Sequence, residues 1–266
     1  MARTAILLVD LLGVQKMWQQ GGATKVKARI EEFNEFVLNK INYLPSELHR
    51  DGEYTLILSG DSFVVTCNDI DQAVGIGIHM FTQAFYESDN ASSPFWLRGA
   101  ISSWKNQYLV MNTVQVSAKG LQIGTRYVSE DDYLNVLALE KSGFKGMRLI
   151  VDRKLLPSYG TAYTKLWSGF TKPLYLTCRL EQCSYPMDTA GSQFVDILWM
   201  AEKEDRFNSL RNIMAKRFKN TTRDPDEFVQ AAWTRATFDQ VDSLVWSCRA
   251  TKKQAAVEVP PPNETP

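Results

Sequence analysis

The stretch YTLILSGDSFVVTC, residues 54–67, is two short apolar runs around a tight Ser59-Gly60-Asp61 turn, and it limits the fold more than any other segment. A glycine in so short a connection supplies the positive φ that turns one strand back on the next, so the two runs form a β-hairpin. A second apolar run, AILLVDLL at residues 5–12, has strand length, ends near Gly13 and reads as a buried strand. Between them Val26, Ile30, Phe33, Val37 and Ile41 recur at helical spacing, and Pro45 closes that helix. After the hairpin, Ile70, Val74, Ile78, Phe81 and Phe85 mark one face of a second helix, with Asp69 or Asp71 placed to cap its start. FWLRGAISSW then reads as another strand.

The order is therefore β-α-β-β-α-β. Asp132 to Glu140 adds a helix and MRLIVD a short strand, whereas Val114 to Ser129 has no clear period. Two helices over one face of a largely antiparallel sheet is the ferredoxin-like, or palm, arrangement, an α+β fold. Beyond about residue 190 the pattern turns helical, in FVDILWMAEKEDRFNSLRNIMAKRF and then DEFVQAAWTRATFDQVDSLVWSCR, with Asp224-Pro225 as the boundary. The expected organisation is a palm domain over residues 1–189, a helical extension over 190–250 and a proline-rich, disordered tail over 251–266. No internal repeat is visible.

Lysine plus arginine equal aspartate plus glutamate at 30 each, so no overall positive field invites nucleic acid or anionic lipid, although a local basic groove stays open. No apolar run approaches the roughly 20 residues of a membrane span, and the N-terminus lacks the pattern of a secretory signal. Cys67, Cys178, Cys183 and Cys248 lack paired CxxC spacing and read as free thiols of a cytoplasmic protein rather than zinc ligands. His49 and His79 read as structural.

In a palm, strands one and three run side by side, which brings Asp10, closing the first strand, and Asp61, in the hairpin turn, to one sheet edge. Each acid alone is an ordinary strand end or turn residue. Together they would repel unless a cation sat between them. Hard divalent ions such as Mg²⁺ or Mn²⁺ favour such oxygen ligands, and the Leu11 carbonyl is placed to join them. Gly13 lets the chain turn closely and present backbone N–H groups to phosphate oxygens.

These residues resemble a known family. VDLLGVQKM looks like the metal-binding segment of class III nucleotidyl cyclases, SGDSFVV is similar to their GD hairpin, and LRGAISS to their R-hydrophobic-G-hydrophobic strand. The resemblance covers roughly residues 5–152. It departs at the family's V-N-x-A-A-R-L helix, where YLNVLALEKSG puts Leu134 at the Asn position and Ala138 at the Arg position. The purine-reading lysine is Ile57 here, and the purine-reading acid falls near Tyr127. Isoleucine cannot hydrogen-bond a purine ring nitrogen.

Short cyclases with both metal acids but without these residues look like the bacterial pyrimidine cyclases of Pycsar antiphage systems. The resemblance implies conversion of UTP, or CTP, to the 3′,5′-cyclic monophosphate and pyrophosphate, with two divalent cations, Mn²⁺ or Mg²⁺, held by Asp10, Leu11 and Asp61. It implies triphosphate binding along Leu12, Gly13 and Val14, a head-to-tail homodimer, and a separate effector protein that responds to the cyclic nucleotide. Arg98 is a candidate for phosphate or pyrimidine O2, against a salt-bridged strand arginine. Ser59 and Tyr127 are candidates on the base side. Arg126, Lys141, Lys145 and Arg148 could supply a transition-state cation, against a solvated surface. Trp96 and Trp104 read as packed, and Lys216-Arg217-Lys219 and Lys252-Lys253 as solvated. The alternatives are a catalytically silent cyclase-homology module that binds nucleotide and regulates a partner, a purine (adenylate) cyclase, a diguanylate-cyclase-like or polymerase-palm enzyme, for which the sequence shows no GGDEF-type turn and no basic template groove, or a scaffold without ligand.

Overall fold

The computed structural model of the chain describes residues 5–45, 48, 54–67, 69–87, 95–104, 110–117, 120–127, 130–141, 146–152, 155, 194–197, 199–200, 204–220 and 225–242. Their elements are β1 (Ala5–Leu11), α1 (Val14–Asn42), β2 (Tyr54–Ser59), β3 (Ser62–Cys67), α2 (Ile70–Glu87), β4 (Leu97–Ser103), β5 (Val110–Ser117), β6 (Gly120–Tyr127), α3 (Glu130–Glu140), β7 (Leu149–Asp152), β8 (Phe194–Ile197), α4 (Glu204–Asn220) and α5 (Pro225–Val241). The strands form one eight-stranded sheet in the order β6-β5-β2-β3-β1-β4-β7-β8. β1 lies between β3 and β4, antiparallel to both, and only the β4–β7 pair is parallel. This is the α+β palm order expected from the sequence, with β1 and β3 adjacent.

Alternation along β1 sorts the core into two layers. Ala5, Leu7, Val9 and Leu11 face the larger one, with Phe33, Phe36 and Val37 of α1, Phe81 and Phe85 of α2, Phe207 of α4 and Phe238 of α5. Ile6 and Leu8 face the smaller one, with Ile57, Val64, Ala100, Ile150 and Val136 of α3. The parity of β1 therefore places Asp10 on the α3 side.

α1 begins earlier than its apolar period suggests, at Val14, because Gly13 at φ +92° turns the chain directly from strand into helix. Gly22, at φ +69° and ψ −176°, breaks the helix into two segments, which is why the periodic pattern starts only after it. Asp69 rather than Asp71 caps α2, its Oδ1 accepting the Gln72 N–H at 2.7 Å.

Three sequence expectations are corrected here. The stretch without a clear period falls in β5 and β6, 110–117 and 120–127, which pair antiparallel with each other and, through β5, with β2. Phe194–Ile197 is a strand on β7, not the start of a helix. Arg217 is not solvated: its guanidinium lies 4.1 Å from the Phe85 ring centroid and donates to the Phe85 carbonyl, whereas Lys216 and Lys219 are exposed. That contact docks α4 on α2. α5 is tied to the chain before β7, where Gly146 N–H donates to Gln230 Oε1 at 2.8 Å and Met147 N–H to Thr234 Oγ1 at 2.9 Å. Pro225 opens α5, at the boundary read from the sequence.

Among the described residues, no helix is long and apolar enough to cross a membrane. Cys67 is a buried free thiol. The other three cysteines, His49, Lys145, Lys252-Lys253 and the tail over 251–266 lie outside the described residues.

Candidate active site at the edge of strands one and three

The edge is assembled by backbone pairing. Asp10 stands opposite Ser62 of β3 on one side and Arg98 of β4 on the other, so all three occupy one face in a row. The Leu11 N–H donates to the Asp61 carbonyl at 2.8 Å, which ties the hairpin turn to the end of β1. Gly60 makes that turn at φ +62°, and Ser62 Oγ donates to the Ser59 carbonyl at 3.0 Å. Asp10 and Leu11 of β1 and Asp61 of the hairpin turn are thus brought together through the pairing of β1 with β3.

Gly13 and Val14 follow at the N-terminus of α1. The first N–H groups of a helix have no partner within it and point along the positive end of its dipole, which is the usual ground for phosphate binding. Leu12 differs from its neighbours: its N–H donates to the Trp96 carbonyl at 2.8 Å, so it fixes the strand-to-helix turn. Trp96 is buried and packed, and Trp104 packs beside the α3 layer.

α3 adds two residues that sequence reasoning did not single out. Tyr133 and Glu140 lie on one helical face with Val136 and Leu137, at the i, i+3, i+4, i+7 spacing, and that face packs on β1 and β4. The spacing was the available signal. Glu140 is fully buried and its Oε1 accepts the Nε–H of Arg98. Arg98 is therefore ion-paired, the salt-bridged alternative weighed from sequence.

The charges at this edge are lopsided. Burial pushes the Asp10 carboxyl from 3.8 up to about 7, with further upward contributions from the charges of Glu140 and Asp61, while Arg98 and Lys141 pull down. Burial also raises the Tyr133 hydroxyl, and the same three acids add to it, so that phenol keeps its proton at neutral pH. Of the transition-state cation candidates whose side chains are described, Lys141, exposed just past α3, acts on Asp10's charge, and Arg148 is buried.

The remaining candidates are dispersed. Ser59 ends β2, two strands from Asp10 and on the same face by parity with Ile57. Tyr127 and Arg126 end β6, four strands from β1, about 19 Å across the sheet at about 4.8 Å per strand. Within one chain, Tyr127 and Asp10 are not brought together. His79 sits in α2 as a neutral side chain, its pKa lowered to about 4 chiefly by burial.

Two carboxylates, Asp10 near the end of β1 and Asp61 in the adjoining hairpin turn, fit a hard divalent cation completed by water and phosphate oxygens. No three acidic, histidine or cysteine side chains among the described residues converge on a common metal position, so protein would supply only part of the shell.

No protein-family model and no curated protein sequence matches the chain. Solved structures similar to it include the adenylyl cyclase CyaB from P. aeruginosa, at 13% identity over 63% of this chain and 81% of that one, with a TM-score of 0.35. The guanylyl cyclase Cya2 is similar at 16% identity over 59% and 78%, with a TM-score of 0.39. An adenylate cyclase from Trypanosoma brucei is similar at 11% identity over 62% and 76%, also with a TM-score of 0.39. At such scores the fold rests on the chain's own strand order and register.

Proposed function

We propose that the chain is a metal-dependent nucleotide cyclase that converts a pyrimidine nucleoside triphosphate, UTP before CTP, to the 3′,5′-cyclic monophosphate and pyrophosphate. The observation that carries this reading is the joining of Asp10 and Asp61 at one sheet edge beside the Gly13 turn into α1. Bound at Asp10, Asp61 and the Leu11 carbonyl, two divalent cations, Mn²⁺ or Mg²⁺, supply Lewis-acid activation of the ribose 3′-hydroxyl and charge neutralisation at the departing pyrophosphate. The chain's own residues bind and orient. The Gly13 and Val14 amides take the β- and γ-phosphates, and the Leu12–Trp96 bond keeps the turn rigid while they do so. Tyr133 of α3, whose hydroxyl feels the charges of the three acids and stays protonated, is a candidate neutral donor toward them.

Ile57 argues against the family's purine-reading pattern: it is buried in the apolar layer under α3 and has no hydrogen-bonding group. Ser59 is the base-side candidate on the same strand. A head-to-tail homodimer is what the resemblance implies, and Tyr127, four strands from Asp10 within one chain, belongs to the site only if a second copy completes it. The product's natural reader is a separate effector protein, and a signalling role in antiphage defence follows from the resemblance alone.

One observation favours a second reading, a silent module that binds nucleotide and regulates a partner. Leu134 on α3 is 50% exposed and Ala138 is exposed, so that helix offers solvent no Asn or Arg at these positions. Incubating the protein with Mn²⁺ and each of ATP, GTP, CTP and UTP, then identifying products by mass spectrometry, separates the readings. A cyclic pyrimidine monophosphate with pyrophosphate supports the proposal. A cyclic purine product keeps the cyclase and overturns the specificity. Tight nucleotide binding without product supports the silent module.

A further inference from the structure

The two parts of α1 are packed very differently. In residues 23–42, Val26, Phe33, Phe36, Val37 and Ile41 are buried in the main core, and the Arg29 guanidinium lies 4.1 Å from the Phe95 ring centroid. Residues 14–21 have an apolar hold on the body at one end. Val14 is 9% exposed and Met17 is partly buried against the same core. Trp18 shares their face through its i, i+4 spacing from Val14, yet it is 58% exposed. Gln19 and Gly21 beyond it are exposed too. The core-facing side of this segment therefore opens from Gly13 toward Gly22.

The joint is Gly22, at φ +69° and ψ −176°, a backbone region open almost only to glycine. Part of its role is phase. Met17 and Val26 are nine residues apart, which on an unbroken helix sets them about half a turn out of register, so a break lets both face the core. Phase does not explain why Trp18 is left uncovered. The joint is also open to solvent: every residue from 18 to 25 whose exposure is described is exposed, and a Cβ on Gly22 would meet nothing within 4 Å. A small residue between two rigid pieces, clear of neighbours, has the character of a hinge.

We propose that residues 14–21 form a flap, jointed to the rest of α1 at Gly22, that closes when a triphosphate binds and covers Trp18 as it does so. The inference rests on the reading of the Gly13 turn as the triphosphate site. The Leu12–Trp96 bond fixes the chain just before Gly13, so the segment tips about its own start. Its first N–H groups point along its axis, and a ligand that aligns them reorients the whole segment. The start of the flap also has no acid in its first turn and no side-chain cap. Lys16 stands there instead, a cation at the positive end of the helix dipole, and a bound polyanion turns that opposition into attraction. The closed orientation is thus the one the ligand favours.

The test is fluorine NMR of the full chain labelled with fluorotryptophan, with Trp18→Phe assigning the Trp18 signal. The probe is inorganic tripolyphosphate with Mg²⁺, which carries the phosphate chemistry without a base, and calorimetry follows its binding. The free protein is expected to show the solvent-isotope shift of an exposed indole at Trp18, and the bound protein to lose most of it. Trp18→Ser is expected to weaken tripolyphosphate binding by about tenfold or more, the effect of burying a large apolar side chain. Gly22→Ala, which has room for its methyl group, is expected to leave the Trp18 signal exposed when tripolyphosphate is added. Bound tripolyphosphate with an unchanged Trp18 signal overturns the inference, as does wild-type affinity in Trp18→Ser. Closure that persists in Gly22→Ala overturns the hinge. If circular dichroism shows that Gly22→Ala does not fold, the wild-type signal and Trp18→Ser decide. A wild type that binds no tripolyphosphate sinks the triphosphate reading of the Gly13 turn, and the flap with it.

Discussion

Leu11 and Asp61 are joined through their backbones: the Leu11 N–H donates to the Asp61 carbonyl at 2.8 Å. Because no side chain takes part, the bond survives substitution of Asp61, and the turn keeps its place against β1. Asp61→Ala is therefore expected to fold with a melting temperature close to that of the wild type. Its turnover of nucleoside triphosphate with Mn²⁺ should fall at least about a hundredfold, since a group that stabilises transition-state charge is lost. Product assays and thermal unfolding on the same preparation check both halves. Retained turnover in both Asp61→Ala and Asp10→Ala would show that the metal assignment is wrong.

Gly13 separates conformational cost from crowding. A Cβ built there meets nothing within 4 Å, so Gly13→Ala adds no clash, but the backbone sits at φ +92°. The left-handed conformation costs an L-residue about 1–2 kcal/mol. The expected result is a stability loss of that order in denaturant unfolding. If Gly13 and Val14 hold the triphosphate, KM for the nucleotide should rise more than kcat falls.

The palm order and the pairing of β1 with β3 were legible because each rests on a local pattern: apolar runs of strand length, a glycine turn at Gly60, and a helical period from Val26 to Ile41. The acid edge followed from that order alone. Residues 110–127 and 194–197 were not legible, since their strand character depends on long-range pairing with β2 and β7. Glu140 was hidden for a related reason. At the end of a short helix it looks like a solvated charge, and only the packing of α3 on β4 reveals that it is buried against Arg98. Arg217 misled in the same way, flanked by two lysines that do face solvent.

Arg217 bears on how the C-terminal helices stay attached. Its guanidinium covers the Phe85 ring, donates to the Phe85 carbonyl and lies 5.7 Å from the Trp96 ring centroid. Arg217→Ala removes a charge-assisted hydrogen bond, a cation–π contact and buried packing together, for a loss of about 2–4 kcal/mol. The measurement is limited proteolysis with denaturant unfolding. Cleavage within α4 or α5 should accelerate ahead of cleavage in the segment carrying β1 and β3.

Asp10 gives the site its own pH signature. Its carboxyl titrates at about 7 in the folded chain, against 3.8 for an aspartate in water. Between those values the folded chain holds a proton that the unfolded chain has released, so Asp10's contribution to metal-free stability falls as pH rises from about 4 to about 7 and is level on either side. Asp10→Asn lacks that proton exchange. Without metal, its melting temperature should exceed that of the wild type above pH about 7 and converge with it below about 4, once other groups are common to both. Mn²⁺ acts with the opposite sign, because it needs the ionised carboxylate: its stabilisation of the wild type should grow as pH rises through about 7 and be absent from Asp10→Asn. Thermal unfolding of both proteins across that range, with and without Mn²⁺, reads the two slopes directly, and parallel curves for the two proteins would remove Asp10 from the metal site.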